Sequence, residues 1–394
     1  MAMPFSYHWR SLFVRKSATL LTILVVGAVT AVFVWMLSFA KALNDSLAMA
    51  SDPHKLIVLK SGATAESNSA IQTDDMNKLS QVTDVEMDPA TGRALMSPEA
   101  VVQVQLPRLR DRGKTNANVA VRGVTEAAFK VHRNVRLLGP MFSTGSPEVI
   151  VGVAAAKQFG GVQVGQTLNL GYSGNRGFRV VALFSADGGP MESEIWGYLP
   201  AIMNAFNRTM YSSVNLRIKE TATSKSAIDQ IQGPAIQLTA QTEPVYWQQQ
   251  AKYVRVYLAI ASVLVAVMCM AAVFAIANTM FSAVAGRTRE IAMLRTIGYT
   301  GRHILTGFIF EAVLLALLGG ALGCLACAGW LTLAGNTKDM FGANTFTTMA
   351  FEIRMRYSTV GIALVAVAAV GAVGALVPAS RAARIGVVSA LREP

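Results

Sequence analysis

The chain has 394 residues, of which 53% are hydrophobic and 15% are charged, and its formal net charge is +12. Soluble domains contain about 25% charged residues, so this composition excludes an ordinary soluble protein and indicates a membrane protein. The 17 Phe, 9 Tyr and 5 Trp exclude a disordered chain, and three Cys are too few for a disulfide scaffold.

Four apolar runs are long enough to cross a bilayer, which takes about 20 uncharged residues in a helix. They extend from Ser17 to Ala40, Val256 to Gly286, Ile304 to Thr337 and Tyr357 to Ser380. We therefore expect transmembrane helices at 17–43, 253–285, 304–334 and 357–380. The first run is longer than the apolar part of a signal peptide, about 7–15 residues, so we expect the mature protein to retain it.

The positive charge is concentrated beside the apolar runs. Segment 44–252 has 20 Lys and Arg against 18 Asp and Glu, whereas the rest of the chain has 15 against 5. This distribution is typical of membrane topology and argues against nucleic-acid binding. Ten Lys and Arg flank one side of the predicted helices and three flank the other, so we expect both termini, 1–16 and 381–394, in the cytoplasm. Segments 44–252 and 335–356 are then extracytoplasmic.

The long extracytoplasmic segment has the pattern of an α+β domain, with short β-type runs between turn residues. We predict strands at Lys55–Lys60, Ala100–Leu106, Asn118–Gly123, Glu148–Val151, Thr167–Leu170, Phe178–Phe184, Glu194–Tyr198, Val214–Lys219 and Ile236–Ala240. We predict helices at Asp74–Gln81, Ala154–Phe159, Pro200–Phe206 and Ser224–Gln232, with Asp74 and Ser224 near the N-caps. At its two ends, 41–50 and 246–257, helix-forming residues continue the adjacent membrane spans.

The stretch GRTREIAMLRTIGYT, from Gly286 to Thr300, predicts a short amphipathic helix between the second and third spans. Ile291 and Leu294 lie on one side of this helix, and Gly298 is suited to end it. Two interpretations remain open for the apolar side. It lies on lipid headgroups, as the basic residues favour, or it docks into a cytoplasmic partner.

The third span contains a carboxylate and a set of small residues. Glu311 is either a functional intramembrane acid or an interfacial acid paired with Arg302 or His303. Gly319, Gly320 and Gly323 have a spacing that permits close helix packing, and the neighbouring Cys324 and Cys327 fit the same packing role better than a redox or metal role.

No enzyme signature stands out in the chain. The four His are scattered and no Cys/His cluster has metal-ligand spacing, so we expect neither a metal site nor catalysis. Gly113-Lys114-Thr115 resembles the end of a phosphate-binding loop, but Arg108 occupies the position where that motif needs Gly. We therefore expect no ATPase activity in this chain.

Three stretches resemble the FtsX/MacB-like family of ABC transporter permeases, which includes the LolC/LolE type. They are RTREIAMLRTIGYTGRHI, FIFEAVLLALLGGALGCLACAG and VPASRAARIGVVSALRE. The order of one span, a large extracytoplasmic domain and three further spans is also similar. One departure is that Gly386-Val387 stands where the family commonly has Asp-Pro.

This resemblance implies a multi-pass protein of the bacterial inner membrane, with a MacB-like periplasmic core domain at 44–252 and a coupling helix at 286–303. It implies a dimer with a second copy or paralogue, and a separate cytoplasmic ATPase that binds ATP and Mg, so that this chain needs no cofactor. The residues that fall in or beside the family's ATPase-coupling pattern are Arg287, Arg289, Glu290, Ile291, Leu294, Arg295 and Gly298. Glu311 falls on an acid that commonly opens the third helix.

From these features we expect mechanotransmission, in which ATP hydrolysis inside the cell moves the periplasmic domain. The expected outcome is export of substrate through a periplasmic membrane-fusion adaptor and an outer-membrane channel. The alternatives are extraction of lipoprotein or lipid, as in LolC/LolE-like permeases, and a membrane sensor or scaffold without transport.

Overall fold

The computed structural model describes residues 16–49, 52–109, 113–172, 174–250, 252–333 and 353–385. These residues form two compact units. The membrane unit lies within Met1–Lys41, Val254–Gly335 and Ile353–Pro394, and the outer unit lies within Ala42–Tyr253. The expected N-terminal segment up to residue 15, most of the 335–356 loop, and residues 386–394 with Gly386-Val387 lie outside the described residues.

The elements are numbered here in chain order within the described residues. The α-helices are α1 Lys16–Met49, α2 Thr73–Leu79, α3 Ala127–Val131, α4 Val153–Gln158, α5 Leu199–Ala205, α6 Ser224–Gln232, α7 Glu243–Gln250, α8 Lys252–Ala285, α9 Thr288–Thr296, α10 Gly301–Leu333 and α11 Tyr357–Ala383. The strands are β1 Lys55–Lys60, β2 Met96–Pro107, β3 Asn116–Val124, β4 Arg136–Leu137, β5 Glu148–Gly152, β6 Thr167–Leu170, β7 Arg176–Ser185, β8 Ile195–Tyr198, β9 Ser213–Arg217 and β10 Leu238–Thr242.

Among the described residues, four helices, α1, α8, α10 and α11, are long and apolar enough to cross a membrane, in agreement with the predicted number of spans. Helix α1 continues to Met49, beyond the apolar run, because the intervening residues include neither Gly nor Pro. The predicted continuation into the second span is observed as two helices, α7 and α8, with residue 251 between them outside the described residues.

Small residues allow the membrane helices to pack closely. A Cβ atom on Gly319 would lie 2.9 Å from the Val26 Cβ of α1, and one on Gly323 would lie 2.3 Å from the Gly27 carbonyl oxygen. A Cβ on Gly320 would face α11 instead, 3.3 Å from Leu364 Cδ2. The glycines of α10 therefore separate into two sets that contact two different helices.

The outer unit is built on one mixed sheet of ten strands in the order β10-β1-β9-β2-β3-β8-β5-β7-β4, with β6 paired to β7. Most neighbours are antiparallel, while β3–β8 and β5–β7 are parallel. All nine predicted strands are present, β1 and β6 with the predicted bounds and the other seven with shifted ends. The prediction missed β4, whose two residues are too short to show a β pattern, and the five-residue helix α3.

Three apolar clusters of the described residues pack on this sheet. The first packs Leu56, Val58, Val214 and Leu216 against side chains of α2 and α6, and the other two lie on the two faces of β5 and β7. Because successive side chains point to opposite faces of a strand, the residues between those of the first cluster form a second face. On β9 that face carries Ser213, Asn215 and Arg217, all of which are buried.

Candidate functional site

The segment between α8 and α10 forms the predicted short helix, α9. Its first turn follows α8 directly, and the Thr288 hydroxyl donates to the Ala285 carbonyl at 3.1 Å. The helix ends before Gly298, which has a φ of +105°, a conformation that favours glycine. The backbone N–H of Tyr299 then donates to the Leu294 carbonyl at 3.1 Å. The prediction that Gly298 ends this helix is confirmed.

The inner side of α9 is covered by the same chain. Ile291 is 2% exposed and lies in a cluster with Ile304, Phe308, Ala379 and Ala382 of α10 and α11. Leu294 is half-buried. The expectation that Ile291 needs lipid headgroups or a partner to cover it is therefore wrong, because its own bundle buries it.

A different set of side chains faces outward. Arg289 and Glu290 are exposed, as are Met293 at 51% and Ile297 at 76%. These positions recur at helical spacing and lie together on one side of α9. The sequence analysis missed Met293 and Ile297, since an apolar residue on this helix could serve the core or the surface equally well.

Glu311 is buried in α10 and pairs with Arg287 at the start of the connecting segment. Arg287 Nη1 lies 3.4 Å from Glu311 Oε1 and 3.3 Å from Oε2. The predicted partners, Arg302 and His303, are not the ones found in this pair, and His303 Nδ1 instead lies 2.8 Å from Thr300 Oγ1. The prediction considered only residues near Glu311 in sequence, whereas the fold brings Arg287, 24 residues earlier, beside it.

Two further contacts reach the end of α11, one from α9 and one from the first residue of α10. Arg295 Nη1 donates to the Ile385 carbonyl, and Gly301 lies so close to Ala383 that an added Cβ would be 2.9 Å from its carbonyl oxygen. Together with the Arg287 pair, these contacts join α9 to both α10 and α11. The connecting segment is therefore packed against both of these helices.

The outer unit contains a buried cluster of charges that sequence analysis did not predict. Arg122 on β3 donates to Glu66 Oε1 at 2.8 Å, Glu99 Oε2 at 2.6 Å and Glu194 Oε2 at 2.7 Å. All four side chains are almost fully buried. A charged residue within or beside a predicted apolar strand could have indicated such a cluster, because buried charges need partners. Arg122, within the predicted 118–123 strand, is an example.

Attraction between opposite charges sets the electrostatics of this cluster. Burial by itself would raise the pKa of Glu99, but its interactions with His132 and Arg122 outweigh that effect and hold the pKa of Glu99 well below its usual range. Burial would likewise lower the pKa of Arg122, whereas Glu194 and Glu66 raise it above its ordinary value. Glu99 and Arg122 are consequently charged at neutral pH, and hydrogen bonds join Arg122 to all three carboxylates.

Two protein-family models match the chain. The model for the MacB-like periplasmic core domain matches residues 18–233, and the model for the FtsX-like permease C-terminal region matches residues 262–387. The chain belongs to the FtsX/MacB-like permease family. It is thus a permease component of the ABC transporter class and a multi-pass inner-membrane protein with an α+β periplasmic domain inserted after the first helix.

Curated relatives of this permease carry the name macrolide export ATP-binding/permease protein MacB. The protein from Pasteurella multocida is 25% identical over 316 residues, which cover 74% of this chain and 45% of the relative. The protein from Syntrophobacter fumaroxidans is 48% identical over 54 residues, covering 14% of this chain and 8% of the relative. The chain therefore spans less than half the length of these relatives.

Solved structures of two outer domains also match. The periplasmic region of MacB from Actinobacillus actinomycetemcomitans is 13% identical with a TM-score of 0.36, over 53% of this chain and 98% of that structure. The extracellular domain of the noncanonic ABC-type transporter YknZ from Gram-positive bacteria is 14% identical with a TM-score of 0.34, over 48% of this chain and 98% of that structure.

Proposed function

We propose that this permease transmits mechanical work from a separate cytoplasmic ATPase, which binds ATP and Mg, to its own periplasmic domain. The observation that carries this proposal is the construction of α9. Its inner side is buried by α10 and α11, while Arg289, Glu290, Met293 and Ile297 face outward. Such a helix can receive a displacement on one side and pass it to the spans on the other.

The chemistry of the outward side suits a protein partner. Met293 and Ile297 offer apolar contacts, and Arg289 and Glu290 offer charged groups beside them. A small apolar centre with a polar rim is typical of interfaces between proteins. A partner on this side is cytoplasmic in the orientation that the Lys and Arg distribution predicts, with both termini inside.

The second half of the proposal is that periplasmic movement drives export of a substrate. A permease dimer, formed with a second copy or a paralogue, would act with a periplasmic membrane-fusion adaptor and an outer-membrane channel. Support comes from the curated relatives, whose name includes macrolide export and an ATP-binding part. Lipoprotein or lipid extraction and a sensor without transport are the rival outcomes of the tests.

Co-purification tests the ATPase step. The tagged full-length chain, extracted from its native membrane, should retain an ATPase, and the double variant Met293→Asp with Ile297→Asp should lose it, because two charges would replace the apolar contacts. A matched control is Met87→Asp, which changes an outer-unit Met of similar exposure, 50% against 51%. Loss of the ATPase from both variants, or from neither, would contradict the assigned face.

Binding to the outer unit separates the rival outcomes. Capture of a membrane-fusion adaptor by the full chain supports export, and capture of a lipidated protein supports extraction. If the chain retains no ATPase but its cytoplasmic contacts change when a ligand binds the outer unit, the result supports a sensor function. Protease accessibility of Arg289 in sealed, oriented vesicles checks the orientation on which all three readings depend.

A further inference from the structure

One buried carboxylate joins a segment near the beginning of the outer unit to a segment near its end. Glu243, the first residue of α7, accepts a hydrogen bond from the Asp52 backbone N–H at 3.0 Å through Oε2. Its Oε1 pairs with Lys55 Nζ, and both side chains are 1% exposed. In sequence, Asp52 follows the end of α1 by three residues, and α8 begins nine residues after Glu243. One residue therefore binds the segment that follows the first span to the segment that precedes the second.

Lys55 continues this connection into the sheet. Its Nζ lies 2.8 Å from His132 Nδ1, and His132 Nε2 lies 2.6 Å from Glu99 Oε1. The other Glu99 oxygen accepts from Arg122 Nη1 at 2.6 Å. A continuous series of buried contacts thus runs from Glu243 through β1 and β2 to β3, the middle of the ten-stranded sheet.

Two aromatic residues reinforce the position of α7. Trp247 Nε1 donates to Glu243 Oε1 at 3.3 Å, and the adjoining Tyr246 is buried with its ring 5.1 Å from that of Trp247. The Tyr246 hydroxyl accepts from the Glu66 backbone N–H at 3.5 Å. Helix α7 is consequently bound to the same charge cluster at its start and one turn later.

Buried ion pairs and hydrogen bonds of this kind oppose relative sliding of the elements that they connect. Separating Glu243 from Lys55 would leave each of these two buried side chains without its oppositely charged partner, which is strongly unfavourable in a low-dielectric interior. An apolar contact, in contrast, has no preferred direction and permits small displacements at little cost. Directional buried charges at the point where α7 meets the sheet therefore make these elements move together.

We propose that Glu243 is the joint that couples displacement of α1 and α8 to the sheet of the outer unit. This inference rests on the proposed mechanotransmission and adds the positioning residue through which it acts. Without the joint, α7 would follow α8 while the sheet stayed behind. ATP hydrolysis would continue, but the periplasmic domain would no longer move as one body.

Three variants test the joint in the full-length chain with its accompanying ATPase in lipid nanodiscs. Glu243→Gln removes the charge and keeps the size. The double variant Lys55→Met with Glu243→Met removes both charges, so that neither charge is left buried alone. It keeps the test available if Glu243→Gln fails to fold. The control, Lys130→Met, removes a more exposed ion pair of the outer unit, with Asp88 at 2.7 Å, that is not part of the joint.

Spin-label distances provide the measurement, with the three native cysteines replaced by Ala. One pair places labels at Gln249 on α7 and Lys225 on α6, both exposed and both in the outer unit. The second pair places labels at Lys225 and at Thr296 on α9. Each distance is measured without nucleotide and after trapping with ATP and vanadate, and ATPase activity is recorded in parallel.

In the wild type and in Lys130→Met, trapping should leave the Gln249–Lys225 distance unchanged. In either joint variant that distance should shift by about 2 Å or more on trapping, on the scale of helix shifts in switching proteins, with ATPase activity retained. A loss of stability alone would broaden the distance without nucleotide as well as with it. An unchanged Gln249–Lys225 distance in a folded, hydrolysing joint variant would overturn the inference. Absence of any nucleotide effect on Lys225–Thr296 in the wild type would instead overturn the proposed function, and the inference with it.

Discussion

The approach of α10 to α1 at Gly323 gives a prediction whose magnitude follows from the structure. A Cβ at Gly323 would lie 2.3 Å from the Gly27 carbonyl oxygen, 2.8 Å from Thr30 Cβ and 3.0 Å from the Ala31 nitrogen. Two of these three neighbours are backbone atoms, which cannot rotate away. The helices would have to separate by roughly 1 Å to restore ordinary contact, and overpacking of this kind destabilises proteins by about 1–3 kcal/mol.

The same helix offers a matched control. An added Cβ at Gly329 would meet nothing within 4 Å, so Gly329→Ala changes only helix propensity, which favours Ala by about 1 kcal/mol. In Gly323→Ala the same gain is outweighed by the overpacking. Because both variants gain the same propensity term, we expect their unfolding free energies to differ by the overpacking cost, about 1–3 kcal/mol, with Gly323→Ala the less stable.

Thermal unfolding of the full chain in detergent measures this difference. A thiol-reactive dye reports unfolding as Cys324 and Cys327, both buried on α10, become accessible. Gly323→Ala should lower the midpoint temperature and Gly329→Ala should leave it unchanged or raise it. Equal midpoints for the two variants would refute close backbone packing as the role of Gly323.

The remaining predictions concern the buried charges. Arg122→Met leaves Glu66, Glu99 and Glu194 without their guanidinium, so urea unfolding should show a loss of about 3–5 kcal/mol, and a loss under about 1 kcal/mol would contradict this account. Because the folded pKa of Glu99 is depressed, its contribution is complete above the unfolded pKa and is lost as pH falls towards the folded value. Outer-unit stability should therefore decline below about pH 5, and a melting temperature that stays constant down to pH 3 would argue against this. Arg287→Met should destabilise the membrane unit by about 1–3 kcal/mol and Arg287→Lys by less, as judged from dye-monitored melting; identical melting would show that the pair with Glu311 contributes nothing.

The elements of this protein could be predicted well because their signals are local. The runs of uncharged residues in α8 and α11 predict helices, since a single segment in lipid can satisfy its own backbone hydrogen bonds only as a helix. Strands such as β1 and β6 were predicted with their observed bounds, because β-type residues stand between turn residues. Gly298 could be assigned to the end of α9 for a similar reason, since the positive φ there favours glycine.

The contacts of the candidate site could not be predicted in the same way. Periodicity placed Ile291 on an apolar side of α9, but only the positions of α10 and α11 decide that this side is buried, leaving Met293 and Ile297 outward. Glu311 was visible as an acid within an apolar run, yet its partner proved to be Arg287 rather than a nearer residue. Neighbours in sequence are poor guides when long side chains reach across a fold.

The sequence by itself determined that four helices cross a membrane and that an α+β domain lies between the first two, because segment length, apolar content and charge bias act locally. Tertiary structure alone decided which charges meet. Glu243 contacts Asp52 and Lys55, and Arg122 gathers three carboxylates from separate parts of the chain. A buried charge is tolerable only where the fold supplies its partner, and that supply depends on the whole sheet rather than on any one segment.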